Sequence, residues 1–148
     1  FPDDLNIIEL LVKTLDIYLG VPLTYKDPDE RRKQLYGKAG AFRVKPYGIE
    51  YRVLSNFWLT SPLLINYIYR NVEKAFHHLN SHNLMDIAKT YEQYKPYIQS
   101  AINRGDRPAA TQVMKGFSLE MPPTYSVDEP KTYKKTVRSV KYPNVFAK

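Results

Sequence analysis

The chain has 148 residues, of which 43% are hydrophobic, and a formal net charge of +7 at pH 7. This length and apolar content suffice for one globular domain with a buried core. The sequence has no cysteine, which excludes disulfide bonds, cysteine-ligated zinc and thiol nucleophiles and is compatible with a reducing compartment. No apolar run reaches the roughly 18 residues that a membrane span needs, so we expect a cytoplasmic protein without a membrane partner.

The positive charge is concentrated in two blocks. Residues 24–52 hold eight basic and four acidic groups, and residues 128–148 hold six basic and two acidic groups. Each block is expected to attract anions such as phosphates, although a solvated surface explains the second block equally well. Phe1 is not an initiator methionine and no signal-peptide pattern follows it, so we expect the chain to be part of a longer protein.

The first predicted element is a helix over about 4–20, because apolar residues recur there at spacings of three and four. Gly20, followed by Pro22, is expected to end it. Asp27 and Pro28 then favour the start of a second, short helix that carries Arg31 to about Tyr36 and stops at Gly37.

Residues 41–54 are typical of strands, interrupted by the turn residues Pro46, Tyr47 and Gly48. If residues 48–54 form a strand, Glu50 and Arg52 leave one face, while Ile49, Tyr51 and Val53 leave the other. A carboxylate and a guanidinium are thereby placed side by side on one sheet face, where they can hold a metal ion and an anion together.

The rest of the chain is predicted to be helical and then extended. Helices are expected over 61–80 and 83–104, with Pro96 kinking or restarting the second, and a last short helix runs from Asp106 to about Gly116. From residue 117 onward no period persists, which indicates an extended arm. The predicted fold is therefore α+β, with a small antiparallel sheet over 41–54 packed by helices. The predicted division is a domain over 1–116 and a basic arm over 117–148.

Several motifs do not support a function. The run Gly37-Lys38-Ala39-Gly40 lacks the spacing of a phosphate-binding P-loop. The three histidines (His77, His78 and His82) are interpreted as helix-end residues rather than a zinc site, because no H-E-x-x-H pattern is present. No known nucleic-acid-binding module occurs, so a nucleic-acid partner is unlikely.

The segment 31–59 remains as the candidate site, and its residues resemble a known family. The resemblance is carried by Asp27-Pro28, Arg31-Arg32, Leu35-Tyr36-Gly37-Lys38-Ala39-Gly40, Phe42-Arg43, Lys45-Pro46-Tyr47-Gly48, Glu50-Tyr51-Arg52 and Leu54-Ser55-Asn56-Phe57-Trp58. Together they resemble the type 2 carboxylate–amine ligases (amidoligases) of tailed phages, in the superfamily of glutamine synthetase and glutamate–cysteine ligase. The similarity covers about residues 8–80 and implies a partial glutamine-synthetase-like fold.

The resemblance implies an enzyme that uses ATP and Mg²⁺ to join a carboxylate substrate to an amine substrate through an acyl phosphate. For a phage-encoded protein the location would be the host cytoplasm. By similarity, Glu50 would ligate the metal, Arg52 would hold phosphate or the substrate carboxylate, and Arg43 would face the phosphates as a second catalytic residue. Arg31, Arg32 and Lys38 are further candidates for binding ATP. Planar guanidinium groups suit such oxyanions, and magnesium prefers carboxylate oxygens.

The sequence also departs from the superfamily pattern. Related enzymes complete the metal site with an acidic Glu-x-Glu strand and histidine-containing strands that precede this region, and residues 1–30 supply neither. We therefore expect this chain to hold the C-terminal half of the site, with the other half on a missing N-terminal part or another subunit. The alternative is a non-catalytic structural or binding protein, such as a phage particle component, in which Glu50 and an arginine form only a cross-strand ion pair.

Overall fold

A computed structural model describes residues 5–24, 31 and 37–123 of the chain. The helices are α1 (Leu5–Leu15), α2 (Val21–Thr24), α3 (Pro62–Ser81), α4 (Leu84–Arg104) and α5 (Arg107–Gly116). A π-helical segment (Asp16–Gly20) joins α1 to α2, and a 3₁₀ helix (Asn56–Thr60) precedes α3. The strands are β1 (Phe42–Lys45) and β2 (Gly48–Tyr51). The α+β prediction is confirmed: helices surround a small antiparallel sheet.

The predicted end of the first helix is wrong. The chain stays helical through Gly20 and Pro22 to Thr24, because a π-type turn replaces a helix end, with the Val21 N–H donating to the Asp16 carbonyl. Gly20 is needed for space: a Cβ built there would lie 2.7 Å from Ile102 Cδ1 and 2.8 Å from the Tyr51 hydroxyl. Val21 and Leu23 are fully buried, so apolar burial carries the helix past both breaker residues.

The sheet is a hairpin whose strands are joined by Pro46 and Tyr47. Its antiparallel register pairs Phe42 with Tyr51, Arg43 with Glu50, Val44 with Ile49 and Lys45 with Gly48. One further backbone bond, from the Arg52 N–H to the Ala41 carbonyl at 2.9 Å, extends the ladder by one step. The turn chemistry at Pro46 and Tyr47 and the period-2 pattern of β2 were both predicted from the sequence.

The C-terminal helices begin and end largely where their caps predict. The Asn83 side chain accepts from the Met85 N–H and caps α4, and Gly105 ends it in the left-handed conformation. The Asp106 side chain accepts from the Ala109 N–H and caps α5. The α4 helix runs through Pro96 without a break. Among the described residues, no helix combines the length and apolar character that a bilayer crossing requires.

Two apolar clusters form the core. One joins the π-helical segment to α4 and α5, and includes Val21, Ile98 and Val113. The other joins α1 to the 3₁₀ helix and α3, and includes Leu15 and Leu64. After α5, the Leu119 N–H donates to the Met114 carbonyl and Tyr67 donates to the Glu120 carbonyl, so residues 117–123 lie against the helices. The predicted helix at 31–36 (except Arg31) and residues 124–148 of the predicted arm lie outside the described residues.

The tight packing at Gly20 gives a first testable expectation. Gly20→Ala is expected to lower the free energy of unfolding by about 1–3 kcal/mol, because the new methyl group overlaps Ile102 and the Tyr51 hydroxyl. Urea unfolding would measure the loss. The cost should shrink in an Ile102→Val background, which lacks Cδ1; an equal cost there would place the strain elsewhere.

Candidate functional site: a basic face of the β-hairpin

Alternation along the hairpin gathers four charged side chains on one face, which we call the basic face: Arg43, Lys45, Glu50 and Arg52. Arg43 and Glu50 are direct cross-strand partners. Lys45 Nζ lies 3.6 Å from Glu50 Oε2, and Arg52 Nε lies 3.6 Å from Glu50 Oε1. The predicted placement of Glu50 and Arg52 on one side of β2 is therefore correct, and β1 adds two cations to it.

The basic face is suited to binding an anion. It carries three cations around one carboxylate, and the side chains of Lys45, Glu50 and Arg52 are 29%, 44% and 25% exposed. Partial exposure leaves the cations accessible to a ligand while their stems pack on the sheet. Arginine donors in this position can grip a phosphate or carboxylate through two parallel hydrogen bonds.

The remaining predicted phosphate-binding residues lie before β1. Lys38 is exposed in the Gly37–Gly40 turn, which is held by an Ala39 N–H bond to Asn103 Oδ1 at 2.8 Å. The Ala41 N–H closes the turn on the Lys38 carbonyl at 3.0 Å. Arg31 is exposed and helical, whereas Arg32 lies outside the described residues. The structure thus brings Arg43, Glu50 and Arg52 together on the hairpin, whereas Lys38 lies in the turn before β1 and Arg31 lies further upstream.

The described residues do not form a magnesium site by themselves. They contain no group of three or more histidine, aspartate or glutamate residues placed to hold a metal ion. Glu50, the predicted ligand, is flanked by Lys45 and Arg52, which compete with a cation for its oxygens. Magnesium in such sites is usually held by one or two carboxylates together with waters and the phosphates of the nucleotide. The role of Glu50 as a metal ligand stays a prediction.

Sequence reasoning missed a buried acid beneath the hairpin. Asp16 is fully buried in the π-helical segment, and the Tyr51 hydroxyl donates to its Oδ1 at 2.6 Å. Among the described residues its Oδ2 has no hydrogen-bond partner. Tyr51 lies on β2 between Glu50 and Arg52 but points to the opposite face, so this bond fixes the strand that carries the basic face. An aspartate inside an apolar helical run was the available signal.

The environment of Asp16 favours its neutral form. Burial raises the pKa of Asp16 to about 7, while the hydrogen bond from Tyr51 and the backbone N–H of Gly40 act in the opposite direction. Burial, together with the nearby Asp16 charge, also raises the pKa of the Tyr51 phenol well above its usual value. Desolvation of a carboxylate is the dominant cause, as expected for a group with no exposed surface.

The histidines occupy the end of α3, as the sequence predicted. The helix ends at Ser81, with His82 as its C-terminal cap residue. His77 Nε2 lies 3.3 Å from Ser81 Oγ, and His82 Nδ1 lies 2.9 Å from the His78 carbonyl. Among the described residues, these histidines do not belong to any group of three or more metal-ligating side chains placed to hold an ion.

The ion pairs of Glu50 are expected to matter little for stability. Because the Glu50 side chain is 44% exposed and both partners lie 3.6 Å away, Glu50→Ala should cost less than about 1 kcal/mol in the free energy of unfolding. Thermal unfolding of the variant would show this. A loss of several kcal/mol would mean that Glu50 is a structural residue. A loss of activity in Glu50→Ala would then say nothing about a role of Glu50 in the reaction.

The structure is an α+β scaffold that presents a basic, arginine-containing face on its hairpin. Comparison with family models specifies it further: residues 3–140 match the family described as "Phage phiEco32-like COOH.NH2 ligase-type 2". The chain belongs to this family of carboxylate–amine ligases. The match extends on both sides of residues 8–80, where the sequence motifs resembled it. Neither the curated proteins nor the solved structures provide a match.

Proposed function

We propose that this chain supplies the phosphate-binding side of an ATP-dependent carboxylate–amine ligase. The observation that supports it best is the basic face, where Arg43, Lys45 and Arg52 surround a single carboxylate on a chain of the ligase family. Three cations at one exposed surface are needed where a polyphosphate and a carboxylate approach each other, because both reactants are anions.

The proposed reaction has two steps. A substrate carboxylate oxygen attacks the γ-phosphorus of ATP, and the bond to the bridging oxygen breaks to release ADP. The nitrogen of the amine then attacks the acyl carbon, inorganic phosphate leaves, and the nitrogen loses a proton to give the amide. In both steps negative charge is transferred between oxygens, and arginine donors preorganised on a strand stabilise it.

Each residue of the basic face has a defined part in this proposal. Arg52 and Arg43 bind the transferring phosphoryl group or the carboxylate that receives it. Glu50 pairs with Arg52 and Lys45 in this structure and is proposed to bind magnesium in the complex with ATP, where these cations contact the phosphates instead. Lys38, Arg31 and Arg32 are proposed to contact more distant phosphates of ATP. Magnesium ligands beyond Glu50 are proposed to come from a part of the ligase outside this chain or from another subunit.

The proposal is tested by assaying the full-length ligase for ADP release. We expect steady-state ADP release only when ATP, a carboxylate and an amine are all present, because without the amine the reaction stops at the acyl phosphate after one turnover, and we expect Glu50→Ala to abolish this release. The matched control is Lys89→Ala, because Lys89 is an exposed cation on α4 away from the hairpin and its loss should leave the rate unchanged. Unchanged turnover in Glu50→Ala would remove Glu50 from the chemistry.

The alternative is a non-catalytic structural or binding protein that keeps the ligase scaffold. Thermal unfolding of the full-length protein with increasing Mg-ATP separates the two, since a ligand that binds only the folded state raises the melting temperature with its concentration. A melting temperature independent of Mg-ATP would favour the structural role. Direct binding of nucleic acid would show instead as an affinity that falls steeply with salt.

A further inference from the structure

The outer edge of β1 presents backbone groups that the hairpin itself does not use. The Arg52 N–H donates to the Ala41 carbonyl, and these two residues continue the hairpin register by one step. They form a hydrogen-bonded pair, and hydrogen-bonded and non-hydrogen-bonded pairs alternate from there along the strands. In β1, Phe42 and Val44 therefore turn their N–H and C=O groups away from β2. Among the described residues these outward groups take part in no backbone hydrogen bond, and we call this row of groups the β1 edge.

The two strands of the hairpin differ in how they meet the rest of the described chain. On β1, Val44 is 57% exposed and Arg43 is also exposed. On β2, the Ile49 and Tyr51 side chains line the apolar cleft between α1 and α3, and the Tyr51 hydroxyl donates to Asp16. β2 thus holds the hairpin on the helices, and β1 is the outer strand. An exposed strand edge with unpaired backbone groups is a template for a further strand.

Charged and apolar side chains alternate along the β1 edge. Arg43 and Lys45 lie on the basic face, whereas Phe42 and Val44 lie on the opposite face. The basic face holds three cations and the single carboxylate of Glu50, which leaves two positive charges in excess. Neighbouring side chains of opposite charge stabilise a pair of strands, and like charges destabilise it. A strand on the β1 edge is therefore favoured when its acidic side chains alternate with apolar ones.

The same charges oppose pairing with a second copy of the chain or with its basic C-terminal block. Two copies joined in antiparallel fashion through their outward groups would bring Arg43 and Lys45 of both copies onto one sheet face, where like charges are destabilising. Residues 128–148 hold six basic and two acidic groups, so they would also add positive charge. The charge of the β1 edge favours a separate, acidic segment instead.

We propose that the carboxylate substrate of the ligase is an acidic peptide that adds to the β1 edge as a third strand. Its backbone bonds to the outward groups of Phe42 and Val44, which supplies affinity for an extended chain. Its acidic side chains lie beside Arg43 and Lys45 on the basic face, where a carboxylate oxygen attacks the γ-phosphorus of ATP and ADP leaves. Its apolar side chains lie on the opposite face beside Val44. The assignment as substrate rests on the proposed function, whereas docking on the β1 edge requires no nucleotide.

Peptide binding to the full-length ligase without nucleotide tests the docking. The probe is acetyl-Glu-Val-Glu-Val-Glu-amide, and its control, acetyl-Glu-Glu-Glu-Val-Val-amide, has the same composition and charge without the alternation. By isothermal titration, we expect the alternating peptide to bind at least fivefold more tightly and to slow hydrogen exchange of the Phe42 and Val44 amides. Equal affinities would mean that charge alone attracts the peptide, and would overturn the proposal. A β1 edge already covered by another part of the ligase would bind neither peptide, which would overturn it as well.

Two changes locate the contact on the β1 edge. Val44→Pro removes an outward N–H that the hairpin does not use, a position where edge strands tolerate proline, and should weaken binding of the alternating peptide at least fivefold. Lys89→Ala should leave it unchanged, and unchanged binding in a folded Val44→Pro variant would place the peptide elsewhere. Where that variant does not fold, N-methylated peptides on the unmodified ligase decide the question. Because alternate N–H groups of an added strand face β1, methylation of the valine nitrogens and of the glutamate nitrogens should differ at least fivefold in effect, and equal effects would contradict strand addition.

Turnover tests the assignment of the peptide as substrate. With Mg-ATP and hydroxylamine as a small amine, the full-length ligase should release ADP faster with the alternating peptide than with free glutamate at equal concentration. Equal or faster release with glutamate would overturn the peptide substrate and leave the proposed ligase function intact. No release with either would also overturn the peptide substrate, whereas the proposed function is judged separately by the affinity for Mg-ATP.

Discussion

Replacing Arg52 with alanine in the full-length ligase is expected to lower the rate of amide formation by two to three orders of magnitude. Arg52 lies 3.6 Å from the Glu50 carboxylate on the basic face, where the proposed reaction moves negative charge from one oxygen to another. Removing one preorganised donor from such a site typically costs about 10²–10³ in rate. Steady-state ADP release, measured with saturating carboxylate and amine, would show the effect.

Two comparisons separate this role from a general loss of charge. Arg52→Lys keeps the positive charge but not the planar pair of donors, so its rate should lie between those of the wild type and Arg52→Ala. Lys89→Ala removes one positive charge from α4 and should match the wild type. If Arg52→Ala retains full activity while remaining folded, Arg52 serves only as the ion-pair partner of Glu50.

Asp16→Asn is expected to change how stability depends on pH. The folded state holds the Asp16 proton up to a pKa of about 7, whereas the unfolded chain releases it near the ordinary value of 3.8. Folding therefore binds a proton between about pH 4 and pH 7, so the free energy of unfolding falls as pH rises through that window and then levels off. Asparagine keeps an acceptor for the Tyr51 hydroxyl without the buried charge.

At pH 8, Asp16→Asn is accordingly expected to be more stable than the wild type, by up to roughly 4 kcal/mol, since each pKa unit corresponds to about 1.4 kcal/mol. Urea unfolding of both proteins at pH 4, 6 and 8 measures the difference. His78, whose lowered pKa gives the opposite slope near pH 6, contributes equally to both proteins and cancels. A constant difference between pH 4 and 8 would show that Asp16 is charged throughout.

The arrangement of the basic face follows from local sequence rules. Period-2 alternation places Glu50 and Arg52 together, and the turn chemistry at Pro46 and Tyr47 fixes the register that brings Arg43 opposite Glu50. Both signals depend only on residues that are close in sequence, so they can be recognised in a single sequence. The caps Asn83 and Asp106 and the left-handed Gly105 were predictable for the same reason.

The contacts beneath the hairpin could not be predicted in this way. Gly20 looked like a helix terminus, but its lack of a Cβ serves the close approach of Tyr51 and Ile102, which are distant in sequence. Asp16 interrupts an apolar helical run in the sequence, and a π-type turn directs it inward to the Tyr51 hydroxyl. The roles of Gly20 and Asp16 both depend on contacts with residues that are distant in sequence. Helix periodicity does not predict such contacts.

Helix periodicity also fails to show which residues of α3 are buried. Its large apolar residues at helical spacing are Leu64, Ile68, Val72, Phe76 and Leu79, yet the fully buried residues are Leu64, Tyr67, Asn71 and Ala75. Leu64, Tyr67 and Ala75 pack in the cluster that joins α3 to α1 and the 3₁₀ helix, and Ile68, Val72 and Leu79 are partly buried against it. Phe76, which is 40% exposed, instead lines an apolar cleft of about 240 Å³ beside Ile49 and Leu15. Packing between helices that are distant in sequence thus decides which residues of α3 are fully buried.

If the basic face binds the phosphates of ATP, the affinity of the full-length ligase for Mg-ATP must depend on the cations of that face. Isothermal titration would compare the wild type with Arg43→Ala, which removes a cation from β1, and with Lys89→Ala as the control. We expect at least tenfold weaker binding in Arg43→Ala and no change in Lys89→Ala. Equal affinity in all three proteins, or no affinity for Mg-ATP in the wild type, would contradict it.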